Sequence, residues 1–211
     1  MRISLLGILL LVFTTFTTRT HAQDDAGNQS YSAITLYGAV PTGDFADAAK
    51  FGGGLGFEGA YYVLPMLGIA YGADIQINPY NRDEFPDIGG DQISTQPWLG
   101  GNLMTGLEFS YPITAKFAPE VRAMGGLMVT RFPEITVDAG VTSFTQEAQI
   151  KPAFAYSFSG GVKLMPSEGR IFRVGLQYLT GSPEYEAEAL GVSVTENVDI
   201  SNVRFYISMG F

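Results

Sequence analysis

One pattern constrains this chain more than any other: apolar and polar residues alternate with a period of two in eight successive segments. On the second segment Phe51, Leu55, Phe57, Tyr61 and Val63 share a face with Gly53 and Gly59, and Gly52, Gly54, Gly56, Glu58 and Ala60 form the other. On the third, Leu67, Ile69, Tyr71, Ala73, Ile75 and Ile77 oppose Gly68, Ala70, Gly72, Asp74 and Gln76. On the fourth, Leu99, Leu103, Leu107, Phe109 and Tyr111 oppose Asn102, Met104, Gly106, Glu108 and Ser110. The fifth to eighth repeat the pattern around Val121–Val129, Phe154–Leu164, Phe172–Tyr178 and Val203–Phe211, with Glu120, Arg122, Lys163, Arg173 and Arg204 on the polar faces. The first, around Ser32 to Val40, is weaker. Successive side chains of a strand point to opposite faces, so each segment reads as a strand with one apolar face.

The connections alternate in length. Leu64-Pro65-Met66, Pro112-Ile113-Thr114-Ala115 and Pro166-Ser167-Glu168-Gly169 are tight, and each carries a proline expected to end the preceding strand. The stretches Thr42 to Lys50, Asn78 to Pro97, Pro133 to Pro152 and Gly181 to Asn202 are long. Alternation in Ile135-Thr136-Val137 and in Glu184 to Glu188 predicts hairpins inside the last two. Asn81 to Gln92 has no period and is expected to be irregular.

Eight alternating strands suit either a soluble barrel with an apolar interior or a membrane barrel with an apolar exterior. The polar faces decide for the membrane. They are dense in Gly, Ala and Ser, which suits the crowded inside of a narrow barrel. Aromatic residues cluster towards strand ends on the apolar faces, as two belts at the lipid–water boundaries require. Tyr61, Tyr111, Phe117, Phe172 and Phe211 belong to the inner belt, and Phe51, Phe154, Tyr156, Tyr178 and Phe205 to the outer. The expected fold is all-β: an eight-stranded antiparallel up-and-down transmembrane β-barrel with short periplasmic turns and four longer extracellular loops.

The first residues read as an export signal. A basic start at Met1-Arg2, an apolar run from Leu5 to Phe16 and small residues around Thr20-His21-Ala22 predict a signal peptide of residues 1–22, cleaved before Gln23. The run is shorter than the ~20 residues of a spanning helix. The barrel domain would be residues 23–211. Cleavage removes Arg2, Arg19 and the single histidine but none of the 21 acidic residues. So acidic a chain is not built to bind nucleic acid. There is no cysteine and hence no disulfide.

Tyr37-Gly38-Ala39-Val40-Pro41-Thr42-Gly43-Asp44-Phe45, followed by Gly52-Gly53-Gly54-Leu55-Gly56, is similar to the first hairpin of a known group. The mature chain resembles the small outer-membrane β-barrel family that includes the transmembrane domain of OmpA and OmpX, in the form common in Bacteroidetes-type bacteria. Phe211 resembles the C-terminal aromatic by which such barrels are recognised for assembly. Met209 stands where that family often has a second aromatic, and Tyr206 where glycine is common. The resemblance implies an outer-membrane location in a Gram-negative cell, contact with lipid and with the barrel-assembly machinery, and a monomer. No peptidoglycan-binding domain is expected after the last strand.

Eight charges fall on the inward faces: Glu58, Asp74, Glu108 and Glu120 against Arg122, Lys163, Arg173 and Arg204. Buried charges demand partners, so a network of ion pairs across the lumen is expected. Counted from the turns, Glu58, Asp74, Arg122 and Arg204 fall near mid-depth and the other four lower. The network reads as a polar plug; the alternative is a narrow gated pore or small-molecule conduit, opened when pairs exchange partners.

Small barrel enzymes that act on lipids use a histidine base, and the mature chain has none. Neither thiol chemistry nor a phosphate loop is available. The expectation is a protein with no catalytic, cofactor or metal site, structural or acting on an extracellular ligand or surface through its acidic loops. The run Asp83 to Asp91 has the oxygens for a divalent cation but matches no calcium-loop spacing, so it is expected to be a solvated acidic loop.

Overall fold

The computed structural model describes residues 30–82, 92–138, 143–167, 169–189 and 192–211. The expected signal peptide and the Asp83–Asp91 run lie outside them. Eight long strands form the wall: β1 (Tyr31–Thr42), β2 (Gly52–Leu64), β3 (Leu67–Asn78), β5 (Trp98–Ser110), β6 (Phe117–Arg131), β9 (Ile150–Ser167), β10 (Arg170–Gly181) and β13 (Ile200–Gly210). Each pairs antiparallel with the long strands before and after it, and β1 closes on β13 from Ala33↔Gly210 to Thr42↔Ser201. Closure leaves the wall no edge, so every strand meets a ladder on both sides. Backbone bonds between Ser32 and Phe211 tie the two chain ends together at the short-turn end.

The alternation sorts the side chains inside out relative to a soluble protein. Ile207 on the outer face is 68% exposed, and Arg204 three residues earlier is 1% exposed. Outward Leu36, Ile75, Leu103 and Phe154 are likewise exposed, whereas Glu108, Lys163 and Arg173 are buried. A barrel with an apolar girdle and charges inside is at equilibrium with a hydrocarbon surround. Among the described residues no helix is long and apolar enough to cross a membrane.

Two expectations about the wall need correction. Pro166 does not end its strand: β9 runs on to Ser167, and the turn is made beyond it with Gly169 at φ +73°, followed by a register shift between Arg170 and Phe172. A proline has no N–H to lose at such an irregularity. Phe205 lies at the middle of β13, level with Gly38 and Leu176, because that strand starts only at Ile200. It does not mark the outer end. Phe154 and Tyr178 sit nearer the long-loop end of their strands, Phe51 immediately precedes β2 at that end, and Tyr61, Tyr111, Phe117 and Phe172 lie at the short-turn end.

The long connections carry structure of their own. The first holds a one-turn helix, α1 (Phe45–Ala48), entered through Gly43 at φ +59°. β4 (Gln92–Thr95), β7 (Ile135–Asp138) and β8 (Ser143–Gln146) form a three-stranded sheet that joins the second and third connections. β11 (Glu184–Ala189) and β12 (Val192–Asn197) form a hairpin in the fourth.

Candidate functional site

Among the described residues, charged and phenolic side chains converge in the lumen, and its contents form layers along the barrel. At the short-turn end Tyr31, Ala33, Ala60, Tyr62 and Ile171 pack into an apolar floor. Above it lies a closed ring of six charges. Arg122 Nη1 lies 2.6 Å from Glu58 Oε2, and Arg122 Nη2 2.5 Å from Glu108 Oε2. Lys163 Nζ is 2.6 Å from Glu108 Oε1 and 3.7 Å from Glu120 Oε2. Arg173 then pairs with both Glu120 and Glu58, completing the circle. Signs alternate around it, so each charge is flanked by two of the opposite sign. Ion pairs removed from water need that degree of compensation, since desolvation otherwise exceeds the Coulomb attraction.

Tyrosines complete the ring. The Tyr31 hydroxyl donates to Glu108 Oε2 at 2.9 Å, and its ring faces Arg122, Lys163 and Arg173 at 5.8, 5.0 and 5.6 Å. Tyr62 bonds Glu108 and lies under Lys163. The Tyr206 hydroxyl donates to Glu120 Oε1 at 3.2 Å, and Arg173 lies over its ring. Ser208 and Thr35 donate to Glu58 at 2.6 and 2.5 Å. Tyr206 fits because Gly161 and Gly175 face it from the neighbouring strands; a methyl at either would meet its hydroxyl. Tyr62 and Tyr206 share the parity of Glu58 and Arg204 on their own strands, which is the signal the sequence offers for them; β1 carries no charge to mark Tyr31 and Tyr37 in the same way.

Asp74 and Arg204 stand apart, nearer the long-loop end. Arg204 Nη1 is 3.2 Å from Asp74 Oδ2. The remaining bonds run through amides: Arg204 to Gln76 Oε1 at 2.9 Å and Gln177 Oε1 at 3.3 Å, and Asn102 to Asp74 at 2.8 Å. The Tyr37 hydroxyl donates to Asp74 Oδ1 at 2.9 Å beneath the guanidinium. Glu58 and Arg122, expected level with Asp74 and Arg204, therefore belong with the lower ring. A cavity of about 40 Å³ separates the two groups, lined by Glu58, Asp74, Arg204, Tyr37 and Tyr206 among others.

The outer mouth is closed by apolar residues. Phe45, carried inward by α1, is 2% exposed. It meets the Trp98 ring edge-on at 5.2 Å, and Trp98 meets Phe132 at 5.1 Å. Met128, Leu179 and Ile200 complete this cap, and Met104 and Met124 continue the same apolar cluster to the 40 Å³ cavity. The Trp98 Nε1 donor reaches Ala48 O at 3.0 Å, fixing the helix over the mouth. Phe132 stacks on Tyr185 of the fourth connection at 4.9 Å. Burial raises the phenol pKa of Tyr80 and Tyr185 at this cap. The cap was not foreseen: one phenylalanine in an acidic, aperiodic stretch carries no pattern.

All four lumen carboxylates are ion-paired. Among the described residues no group of histidine, cysteine or acidic side chains is placed to hold a metal.

No protein-family model and no curated protein sequence matches the chain. Solved structures do. Neisserial surface protein A superposes with a TM-score of 0.50 at 13% identity, over 89% of this chain and 100% of that one. Ail, the attachment invasion locus protein of Yersinia pestis, superposes at 0.51 and 12% identity, over 87% and 97%. Ail in complex with the heparin analogue sucrose octasulfate gives 0.50 at 12% identity, over 87% and 98%. At such identities the likeness is one of fold: the chain has the fold of the small eight-stranded outer-membrane β-barrels.

Proposed function

We propose that this protein is exported to the outer membrane of a Gram-negative bacterium, where it is a sealed, non-enzymatic barrel acting through its loop assembly. The short turns would face the periplasm and the long connections the exterior. The observation that carries this reading is the filling of the lumen: among the described residues an apolar floor, a closed ring of ion pairs and an aromatic cap leave cavities of about 40 and 20 Å³. The loops, in contrast, are built to project. Gln149 and Lys151 bond Glu186, and Gln146 bonds Tyr185, which ties the third connection to the fourth.

The chemistry of a loop partner follows from charge. Asp44, Asp47, Glu134, Glu147, Glu184, Glu186, Glu196 and Asp199 outnumber Lys50, Arg82, Arg131 and Lys151 at this end. Ail has been solved with a polyanion; an acidic surface repels polyanions and favours basic or neutral partners.

Single-channel recording on the refolded mature chain tests the seal. Negligible conductance from a barrel with a heat-dependent gel shift is the expected result, and discrete stable openings would overturn it. A gated pore is the second reading, supported by the position of Arg204 between two cavities. It requires Arg204→Ala to conduct where the parent does not.

A further inference from the structure

A cavity of about 20 Å³ lies between the aromatic cap and Arg204, its wall including Asn102, Asn202, Gln76, Phe45 and Trp98. Asn102 is 6% exposed and Asn202 1% exposed. Asn102 Oδ1 and Asn202 Nδ2 are buried, and neither has a hydrogen-bond partner in the protein. One is an acceptor and the other a donor. Leaving either unmet inside a protein is costly, so most buried polar atoms are paired, with protein or with ordered water.

The neighbours fix which way round each amide lies, and so which of its atoms is left without a partner. Asn102 Nδ2 donates to Asp74 Oδ1 at 2.8 Å. Turned over, that amide would set its oxygen against a carboxylate. Asn202 Oδ1 accepts from Gln76 Nε2 at 3.1 Å. Turned over, two NH2 groups would face each other. Gln76 itself is held by Arg204, which can only donate, to Gln76 Oε1 at 2.9 and 2.5 Å.

We propose that one water molecule occupies this cavity, donating to Asn102 Oδ1 and accepting from Asn202 Nδ2. The site has room for little else: a single water needs roughly 10–15 Å³ of such space and two or more polar partners. Arg204 lines the same cavity and disfavours a cation there. With the water in place a closed circuit forms, running Asp74, Asn102, water, Asn202, Gln76, Arg204 and back to Asp74. The water thereby joins the two halves of the amide framework that positions Arg204 beneath the cap. It makes the upper lumen a hydrated structure, distinct from the ring of direct ion pairs below.

Water-to-protein Overhauser spectroscopy on the labelled mature chain in detergent micelles tests the assignment. The Asn202 side-chain amide protons should show a cross-peak to water with the signs of a long-lived, bound molecule. An intact barrel whose Asn202 amide shows no such cross-peak would overturn the proposal. Asn102→Leu removes the acceptor and fills the space, and should abolish the Asn202 cross-peak while backbone signals keep the barrel pattern. Survival of the cross-peak in Asn102→Leu would overturn the bridging role. Should that variant fail to fold, the parent measurement alone decides.

Discussion

The lumen contains two polar regions that solve the same problem differently. In the lower ring, six charges meet directly and alternate in sign, with contacts of 2.6 Å or less around most of the circle. In the upper region one ion pair sits at 3.2 Å inside a frame of amides, with a cavity on either side. The ring borders a cavity only at Glu58, and each of its charges has its ion-pair partners inside the circle, so it depends on every member. The upper frame spreads the guanidinium's bonds over Asp74, Gln76 and Gln177, and its amides can exchange partners with water. The difference teaches that buried charge in this barrel is made tolerable either by mutual saturation or by hydrated amides, and that only the first is brittle.

Breaking the ring is the strongest test. Arg173→Ala leaves Glu58 and Glu120 each short of one cation in a closed space. Loss of one partner from a buried ion pair costs about 3–5 kcal/mol. The urea midpoint of the refolded barrel, followed by loss of its heat-dependent gel shift, should fall steeply. A midpoint within error of the parent would mean that the ring is not what holds the lumen. Arg204→Ala should be milder. Asp74 keeps the bonds from Tyr37 and Asn102, and Gln76 Oε1 and Gln177 Oε1, which lose the guanidinium, belong to residues bordering cavities that water can enter, so a loss of about 2 kcal/mol is expected, within the range for poorly satisfied buried polar groups. A fall equal to that of Arg173→Ala would erase the distinction between the two regions.

Much of this organisation was legible in the sequence, for a physical reason. Lipid outside and a narrow lumen inside impose opposite demands on alternate residues, so parity alone sorted Ile207 outward and Arg204 inward. Parity says nothing about height. Counting from the turns groups Glu58 and Arg122 with Asp74 and Arg204, yet Glu58 and Arg122 both belong to the ring with Glu108, Glu120, Lys163 and Arg173. Strands in a closed barrel are tilted and staggered, and the stagger that sets which residues are level is a property of the whole sheet. The cap was illegible for another reason. Phe45 acts through contact with Trp98 at the start of β5, and no local period marks such a contact. The four-residue β4 was too short to show its alternation, and its partner β7 lies some forty residues on.

A paired replacement separates charge from shape in the ring. Glu108→Gln with Lys163→Met removes one negative and one positive side chain together and keeps their volumes nearly constant. Glu58, Arg122, Glu120 and Arg173 remain balanced. Exchange of a buried pair for matched neutral groups is often close to neutral in stability, so the loss should stay under about 2 kcal/mol, the cost of a residual poorly satisfied Tyr62 hydroxyl. Equivalence to Arg173→Ala would show that the ring needs its charges and not merely their balance.

The smallest effect sharpens the upper region. Gln177 donates to Ser157 at 3.3 Å and accepts from Arg204 at 3.3 Å, while Arg204 keeps its shorter bonds to Gln76. Gln177 also borders the 40 Å³ cavity, where water can replace its oxygen. Gln177→Ala should therefore lower stability by about 0.5–1 kcal/mol, the net value of one ordinary hydrogen bond. A larger fall would mean that water does not substitute for the lost amide, and that the upper frame is as rigid as the ring beneath it. A hydrated frame must tolerate the loss of one amide at its margin, because its neighbours still find partners in solvent held within the wall.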